Sequence, residues 1–186
     1  MTNKEKILQT ALRLFAENGY DRTPTSQIAR ESEVSEGLIF RHYGSKAGLL
    51  GAIIQQGKAQ VDESMQPYHR GADPREALVQ HIRESFRLLR ENTPFWRLVH
   101  SLRQQTAVQQ NAETQIESFK QSVVGQLAVP FQMLGAARPI EEALLLFALI
   151  DGVTVQYVQM PDVYPLDNMQ DFIIEKYRYG QFMGQP

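Results

Sequence analysis

Residues 35–42 bring hydrogen-bonding, cationic and aromatic side chains onto one side of a short predicted helix. The residues on this side are Ser35, Glu36, Gly37, Phe40, Arg41 and His42. In DNA recognition an arginine bonds guanine or phosphate, an aromatic ring packs on a thymine methyl group, and an absent side chain permits close backbone approach. The set therefore predicts a surface that reads DNA. The pattern alone leaves open that Gly37 is only a weak first turn and Phe40 a core residue.

A helix-turn-helix motif is predicted for the stretch that contains this helix, Thr23–Leu50. Thr23 is placed to cap a first helix beginning at Pro24, because threonine accepts free backbone N–H groups and proline suits the first helical position. Residues 32–34 interrupt the helical period, and Ser35 can cap the second helix. This second helix is the one that carries the polar and aromatic side.

Gly44 suits the left-handed end of the second helix, and Ser45 can cap the helix that follows. Lys46 comes next, in a first turn where a cation opposes the helix dipole. This placement indicates a nearby phosphate, which the free N–H groups of the helix end would also bind. The alternative is that Lys46 is an ordinary surface lysine.

Residues 4–50 resemble, without a gap, the DNA-binding domain of the tetracycline-repressor (TetR-like) family of bacterial transcription regulators. The matching residues are Ile7, Ala11, Phe15, Gly19, Tyr20, Thr23, Ile28, Ala29, Val34, Ser35, Gly37, Ile39, Phe40, His42, Tyr43, Lys46 and Leu49. The resemblance implies an all-α homodimer. Its N-terminal domains would bind a palindromic double-stranded DNA operator, and its C-terminal domains would bind a small-molecule effector.

The predicted DNA-contacting residues combine the pattern and the resemblance. They are Thr23, Thr25, Ser35, Glu36, Gly37, Phe40, Arg41, His42 and Lys46. Two positions depart from the family: Glu36 stands where a non-acidic residue is common, and Pro24 where a hydroxyl residue often contacts phosphate. Glu36 could accept a hydrogen bond from a cytosine amino group or could only repel the DNA backbone.

The composition predicts a soluble globular protein of the cytoplasm, with 186 residues, 42% of them apolar and 22% charged. No apolar run has the length of a membrane span, no signal peptide is expected, and the absence of cysteine excludes disulfides and thiolate sites. Residues 1–50 carry seven Lys/Arg against six Asp/Glu, a net charge of +1, and the remainder carries 12 against 15, or −3. DNA binding would therefore depend on a few placed cations.

Two domains are predicted: residues 1–50 for DNA binding and residues 51–186 for effector binding and dimerisation. Helical patterns with capping residues cover most of the chain. The predicted segments are 4–18, 24–31, 36–43, 46–65, 73–91, 93–102, 113–133, 140–159 and 166–179. A polar loop is expected at 68–72, and either a loose helix end or a loop near 109–111. Pro130 is expected to kink or end its helix.

Helices 140–159 and 166–179 are predicted to pair with their copies in a four-helix dimer bundle. The segment 140–159 is apolar nearly all round, and small residues within it allow close helix contact. The proposed interface residues are Leu145, Ala148, Leu149, Gly152, Phe172 and Tyr177. The alternative is that both helices are core helices of a monomer.

An effector cavity is predicted between the central helices. Its candidate lining residues are Phe86, Trp96, His100, Arg103, Phe119 and Tyr157. The first, second and fifth would be apolar walls, and the others would orient a polar group. Aromatic residues at helical spacing are also common in an ordinary core. No cofactor or metal is expected.

Two other functions stay open at this stage. One is a helical enzyme or metal-binding protein without a nucleic-acid role, but no HExxH, GxSxG, Walker A or GxGxxG motif is present. His81 and Glu84, three residues apart on a predicted helix, could share a metal, although such pairs are usually surface salt interactions. The other is an adaptor that uses helix 140–159 to bind a different protein.

Overall fold

The structure is a computed structural model that describes residues 1–65, 73–103 and 110–180. Within these ranges the chain forms nine α-helices and no strand, which confirms the predicted all-α class. The helices are α1 (Asn3–Asn18), α2 (Thr25–Glu31), α3 (Glu36–Tyr43), α4 (Lys46–Met65), α5 (Pro74–Glu91), α6 (Thr93–Arg103), α7 (Gln110–Met133), α8 (Pro139–Gln159) and α9 (Leu166–Tyr179). No helix in the described ranges is both long enough and apolar enough to cross a membrane.

The helix ends agree with the predicted segments to within one residue, except at the start of α7. α2 begins at Thr25 instead of Pro24, and Pro24 is the N-cap. α7 begins at Gln110, three residues before the predicted start, and continues through Pro130 to Met133. Pro130 has no N–H for an intrahelical hydrogen bond, but α7 continues three residues beyond it, so Pro130 does not end the helix at its own position. The loop predicted at 68–72 lies outside the described residues, as does residue 109 of the loop expected near 109–111. Gln110 and Asn111 belong to α7, so the expectation of a loop at these two residues is wrong.

The chain divides into two compact units. The first contains residues 1–59 and 92–117, and the second contains residues 60–91 and 118–186. Residues of the long helix α4 therefore contribute to both units. The functional boundary predicted at residue 50 stays a prediction.

The first unit has a continuous apolar core. Buried residues of α1 to α4 and α6 form it: Ile7, Ala11, Leu14, Phe15, Tyr20, Ile28, Ala29, Ile39, Leu49, Leu50, Ile53, Ile54, Phe95, Leu98, Val99 and Leu102. The helix α6 packs along α1, and its Phe95 ring reaches the backbone of α4 at Gly57. The helix-turn-helix segment is thereby fixed on a rigid apolar support.

The second unit is built on the packing of α5 against α9, with α8 packed on both. Asp73 caps α5, because its Oδ1 accepts hydrogen bonds from the backbone N–H groups of Arg75 at 2.9 Å and Glu76 at 3.1 Å. The Arg75 guanidinium donates to the carbonyl oxygens of Arg178 at 3.2 Å and Gly180 at 2.9 Å. One arginine of α5 thus satisfies carbonyl groups at the C-terminal end of α9.

Candidate nucleic-acid interface

The second helix of the motif, α3, turns the predicted face outward. Ile39 is fully buried against the core, and Leu38 and Tyr43 are partly buried. The exposed residues are Ser35, Glu36, Gly37, Phe40, Arg41 and His42. Phe40 is 44% exposed, so the alternative that it belongs to the core is wrong. The Phe40 ring and the neighbouring Arg41 are therefore both open to an external partner.

Tyr43 ties the end of α3 to α1, and Tyr20 packs against α1 itself. The Tyr43 hydroxyl donates a 2.7 Å hydrogen bond to the carbonyl oxygen of Lys4 on α1, and burial raises the pKa of this tyrosine. Tyr20, which follows α1, packs edge-on against Phe15 with the ring centroids 5.1 Å apart. Tyr20 therefore packs back on α1. The Tyr43 hydrogen bond therefore ties the last residue of α3 to α1.

The turn between α2 and α3 is a Schellman motif with an unusual residue in it. The Val34 N–H donates to the Ala29 carbonyl at 3.0 Å, and the Glu33 N–H donates to the Arg30 carbonyl at 3.2 Å. Glu33 has φ of 55°, a left-handed conformation usually taken by glycine. Its carboxylate lies 2.5 Å from the Lys6 Nζ, and this hydrogen-bonded ion pair lowers the Glu33 pKa.

The residues that border α3 mostly act as predicted. Ser35 is the N-cap of α3, but its side chain makes no capping hydrogen bond. Gly44 has φ of 74°, the expected left-handed helix end. Ser45 Oγ accepts the Gly48 N–H at 3.0 Å, which confirms its capping role. A Cβ at Gly37 would meet no atom within 4 Å, so packing within the chain does not require a glycine there.

Thr25 and Glu36 interact with each other across the motif. The Thr25 hydroxyl, at the first residue of α2, donates a hydrogen bond to Glu36 Oε1 at the first residue of α3. Glu36 is nevertheless exposed, and its other carboxylate oxygen accepts no hydrogen bond from any described residue. The pairing engages one oxygen of an exposed carboxylate.

The Lys46 side chain lies against other residues of the first unit. Its ammonium donates to the carbonyl oxygen of Asp21 at 3.3 Å and lies 4.4 Å from the centroid of the Tyr20 ring. Burial lowers the pKa of Lys46, and the charge of Asp21 opposes that shift. Lys46 is therefore more than an ordinary surface lysine, and its contact with phosphate stays a prediction.

The cations of residues 1–50 fall into two groups. Lys6 pairs with Glu33, and Arg13 pairs with Glu17 and Glu31, while Arg22 and Lys46 donate to backbone carbonyls. In the part of the chain that the structure describes, the other three make no side-chain hydrogen bond or ion pair: Lys4, Arg30 and Arg41. Arg41 is the member of this group on the outward face of α3. It is therefore available to an external ligand.

Thr23 does not have the predicted capping role. Its side chain is fully buried, and its hydroxyl donates toward the carbonyl oxygens of Gly19 at 2.9 Å and Leu14 at 3.3 Å. The hydroxyl thus closes the turn after α1 instead of capping α2. Because it is enclosed by the first unit, Thr23 presents no surface to DNA. A threonine can cap a following helix or bond to preceding carbonyl groups, and the local sequence does not distinguish the two.

The predicted effector residues are distributed between the two units. Trp96, His100 and Arg103 belong to the first unit. Phe86, Phe119 and Tyr157 belong to the second. Phe86 is fully buried as a core residue, whereas Tyr157 lines a cleft of about 340 Å³ near the start of α9. Arg90, which also lines this cleft, already binds Asp167 and Gln170.

The predicted dimer residues, with one exception, lie on the surface of the second unit. Leu145, Ala148, Leu149 and Gly152 follow helical spacing along one side of α8, and only Leu149 is partly buried. On α9, Phe172 is 64% exposed. The exception is Tyr177, which is buried against Phe131 with the ring centroids 6.0 Å apart. Tyr177 is a core residue because it faces inward with Ile173 and Ile174.

The two residues of the proposed metal pair on α5 have different surroundings. Glu84 makes an ion pair with Arg87 at 2.8 Å. His81 is buried on the same helix. Over the described ranges, no cluster of three or more His, Asp and Glu side chains is arranged to hold a metal ion.

The comparisons with known proteins concern first the N-terminal region. Residues 7–53 match the model of the family described as bacterial regulatory proteins, tetR family. The HTH-type transcriptional repressor Rv3405c of Mycobacterium tuberculosis is 50% identical over 48 residues, which are 26% of this chain and 26% of that protein. The match therefore spans only about a quarter of this relative's length.

Solved structures extend the likeness to nearly the whole fold. A transcriptional regulator of Rhodococcus sp. Rha1 has a TM-score of 0.82 at 17% identity, over 95% of this chain and 94% of its own. AibR, solved in complex with isovaleryl coenzyme A and operator DNA, has a TM-score of 0.78 at 20% identity, over 93% of this chain and 96% of its own. At these identities the likeness shows the fold.

Together, the geometry of α2 and α3 and these matches show that residues 7–53 are similar to the helix-turn-helix domain of bacterial transcription regulators, and that the fold of the chain is like that of solved regulators. The chain is TetR-like: its N-terminal domain matches the tetR family of bacterial regulatory proteins, and its all-α fold is that of solved regulators. The similar proteins are regulators of transcription, so the match favours this class over the helical enzyme.

Proposed function

We propose that the protein is a ligand-responsive repressor that binds a palindromic DNA operator as a homodimer and is released by a small molecule. The observation that carries the proposal is the outward face of α3, where Gly37, Phe40 and Arg41 are exposed on a helix whose inner face is fixed to the core. The arrangement combines a close backbone approach, an apolar contact and an uncommitted cation.

The chemistry of this face suits the major groove. Arg41 can donate two hydrogen bonds to the O6 and N7 of guanine, and Phe40, on the preceding residue, can contact a thymine methyl group. Gly37 lies one helical turn before Arg41, so the backbone there can approach the DNA without a side chain in between. Exposed cations such as Arg30 are suited to phosphate, which positions the protein without reading sequence.

A homodimer is supported by the exposed apolar residues of the second unit. Leu145 on α8 is 50% exposed and Phe172 on α9 is 64% exposed, and a helical stripe with small residues at 148 and 152 runs from Leu145. An apolar surface of this kind usually marks an interface. A two-fold dimer would present two copies of α3 to two half-sites of one operator.

The effector is the least specified partner. The isovaleryl coenzyme A complex of AibR supports a small molecule as the class of ligand, without identifying the ligand of this chain. Residues 51–186 are the proposed effector-binding and dimerisation region. Among the candidate lining residues, Phe86 is fully buried in the core and is not proposed as an effector contact. Tyr157 lines an open cleft and is proposed as one.

The experiment that tests the proposal is selection of purified protein against random duplex DNA at near-physiological salt, followed by sequencing of the bound pool. We expect an inverted repeat whose half-site centres are about one or more helical turns apart. Protein that is unfolded, dialysed and refolded is selected in parallel, because a co-purified effector would block binding. Failure of both preparations to enrich any sequence would overturn the proposal.

A further inference from the structure

We infer that Glu36 reads a cytosine in each operator half-site and that Thr25 is the positioning residue that holds its carboxylate. The inference rests on the proposed function. Glu36 is the acidic residue of the outward face of α3, where a negative charge would otherwise only repel the phosphates of DNA. Because this repulsion weakens binding to every DNA sequence, a carboxylate on the DNA-binding face contributes to operator binding only if it also makes a specific contact with a base.

The geometry gives the carboxylate one fixed and one free oxygen. Thr25 Oγ1 donates to Glu36 Oε1, and the bond joins the first residues of the two helices of the motif. The bond restricts the rotation of a long side chain, so less conformational entropy is lost when a base is bound. Gly37, which follows Glu36, has open space around its Cα and does not obstruct the approach of DNA.

The chemistry of a carboxylate selects among the four bases. An ionised carboxylate only accepts hydrogen bonds, so it needs a donor in the groove. Guanine presents only acceptors in the major groove, and thymine presents an acceptor and a methyl group. Adenine has an amino group, but its neighbouring N7 is an acceptor that repels a second carboxylate oxygen. Cytosine presents an amino donor with no such neighbouring acceptor, and it is therefore the preferred partner.

The same bond is also open to a purely structural explanation, in which Thr25 and Glu36 only tie α2 to α3. Stability measurements cannot separate the two roles, because a substitution of Thr25 or Glu36 removes the same hydrogen bond in either case. Base preference does separate them. A structural tie has no reason to act on one base position of the operator, whereas a reading residue and its positioning partner must act on the same position.

The test is the DNA selection applied to the wild type and to five variants, each checked for folding by circular dichroism. Glu36→Ala removes the carboxylate, and Glu36→Gln replaces it by an amide that can both donate and accept. Thr25→Val removes the hydroxyl at nearly constant shape, and Thr25→Ser retains it. Glu17→Gln is the charge-matched control, because Glu17 is exposed on α1, apart from the α3 face.

We expect the wild type to prefer cytosine by about tenfold to a hundredfold at one position in each half-site. Glu36→Ala should lose this preference while other positions keep theirs, and Glu36→Gln should shift it to adenine, which suits an amide. Thr25→Val should reduce the cytosine preference at the same position, whereas Thr25→Ser and Glu17→Gln should retain it. Competition binding with single-base operator variants measures each ratio.

The outcomes distinguish the inference from the function on which it rests. An inverted repeat selected equally by the wild type and both Glu36 variants would overturn the reading role and leave the regulator intact. Loss of the preference in Glu36→Ala with no change in Thr25→Val would remove Thr25 as the positioning residue. If neither preparation of the wild type selects a repeat, the proposed function fails and the inference fails with it.

Discussion

Arg41 carries the exposed cation of α3 and has no hydrogen-bonding partner in the part of the chain that the structure describes. We expect Arg41→Ala to weaken binding to the selected operator by about 1 to 3 kcal/mol and to relax base preference at one position. Arg13→Ala is the matched control, because it removes the same charge from α1, where the Arg13 guanidinium is paired with Glu17 and Glu31. Fluorescence anisotropy titrations at several salt concentrations measure both variants.

A loss of affinity in Arg41→Ala that is equal for all sequences, with a salt slope lower by about one, would instead assign Arg41 to phosphate. The two assignments are distinguishable because base contacts change discrimination and phosphate contacts change the salt dependence. Equal affinity and equal discrimination in Arg41→Ala and wild type would exclude both roles.

The left-handed conformation of Glu33 gives a prediction about stability. Glu33→Gly and Glu33→Ala both remove the ion pair with Lys6, but only glycine takes φ of 55° without a Cβ clash. We expect the glycine variant to be more stable than the alanine variant by about 1 kcal/mol in urea unfolding. At Ser26, inside α2, the same two substitutions should rank in the opposite order. An alanine variant at 33 at least as stable as the glycine variant would contradict the assignment of strain.

At this scale the sequence predicted residue types better than pairings. The exposed face of α3 was predictable because it follows from helical spacing alone, with Ile39 inward and Phe40 outward. The bond from Thr25 to Glu36 spans 11 residues and the pair of Lys6 with Glu33 spans 27, so both depend on how separate helices meet. Local patterns contain no information on such contacts.

Among the elements, α4 and α6 meet where a glycine is required. A Cβ built on Gly57 would lie 2.2 Å from Phe95 Cζ, and this ring is buried in the first unit's core. We expect Gly57→Ala to reduce the free energy of unfolding by about 1 to 3 kcal/mol, because the ring cannot move without displacing its neighbours. Urea unfolding followed by circular dichroism gives the change.

Gly125 provides the matched comparison for Gly57. It lies exposed within α7, and a Cβ there would meet no atom within 4 Å. Gly125→Ala should therefore stabilise the protein, by up to about 1 kcal/mol, through helix propensity alone. If both substitutions stabilise, the close contact between α4 and α6 is not rigid; if both destabilise, Gly125 has a packing role that its open surroundings do not indicate.

The helices themselves were largely predictable, but their assignment to units was not. Asp73, Gly44 and Ser45 mark helix ends through local hydrogen bonds and backbone geometry, so they can be identified from neighbouring residues. The packing of α6 along α1 joins segments separated by about 80 residues of chain, and the amphipathic pattern of α6 fits any apolar partner. Amphipathicity predicts which face of a helix is buried, but it does not identify the helix that packs against that face.

For the whole molecule, the proposed operator binding depends on association of two chains. A single short helix contacts few bases, and an inverted repeat is read tightly only when two copies of α3 are held at a fixed separation. The candidate interface consists of exposed apolar residues on α8 and α9, which belong to the same unit. An adaptor that binds a different protein would use the same residues, so the partner must be identified by experiment.

Leu145→Glu and Phe172→Glu should each convert the dimer toward monomer. Association would bury the new carboxylate without a partner, and a buried unpaired charge costs about 3 to 5 kcal/mol, so the dimer dissociation constant should rise at least about 100-fold. Val163→Glu is the control, because Val163 is 75% exposed in the turn between α8 and α9, off the Leu145 stripe. Sedimentation equilibrium measures the constants, and operator titration of the same samples should show affinity falling with dimerisation. Two outcomes would exclude this surface as the homodimer interface: a wild type that is monomeric at micromolar concentration, or Leu145→Glu and Phe172→Glu variants that dimerise as well as Val163→Glu. Either outcome would favour a different protein as the partner of this surface.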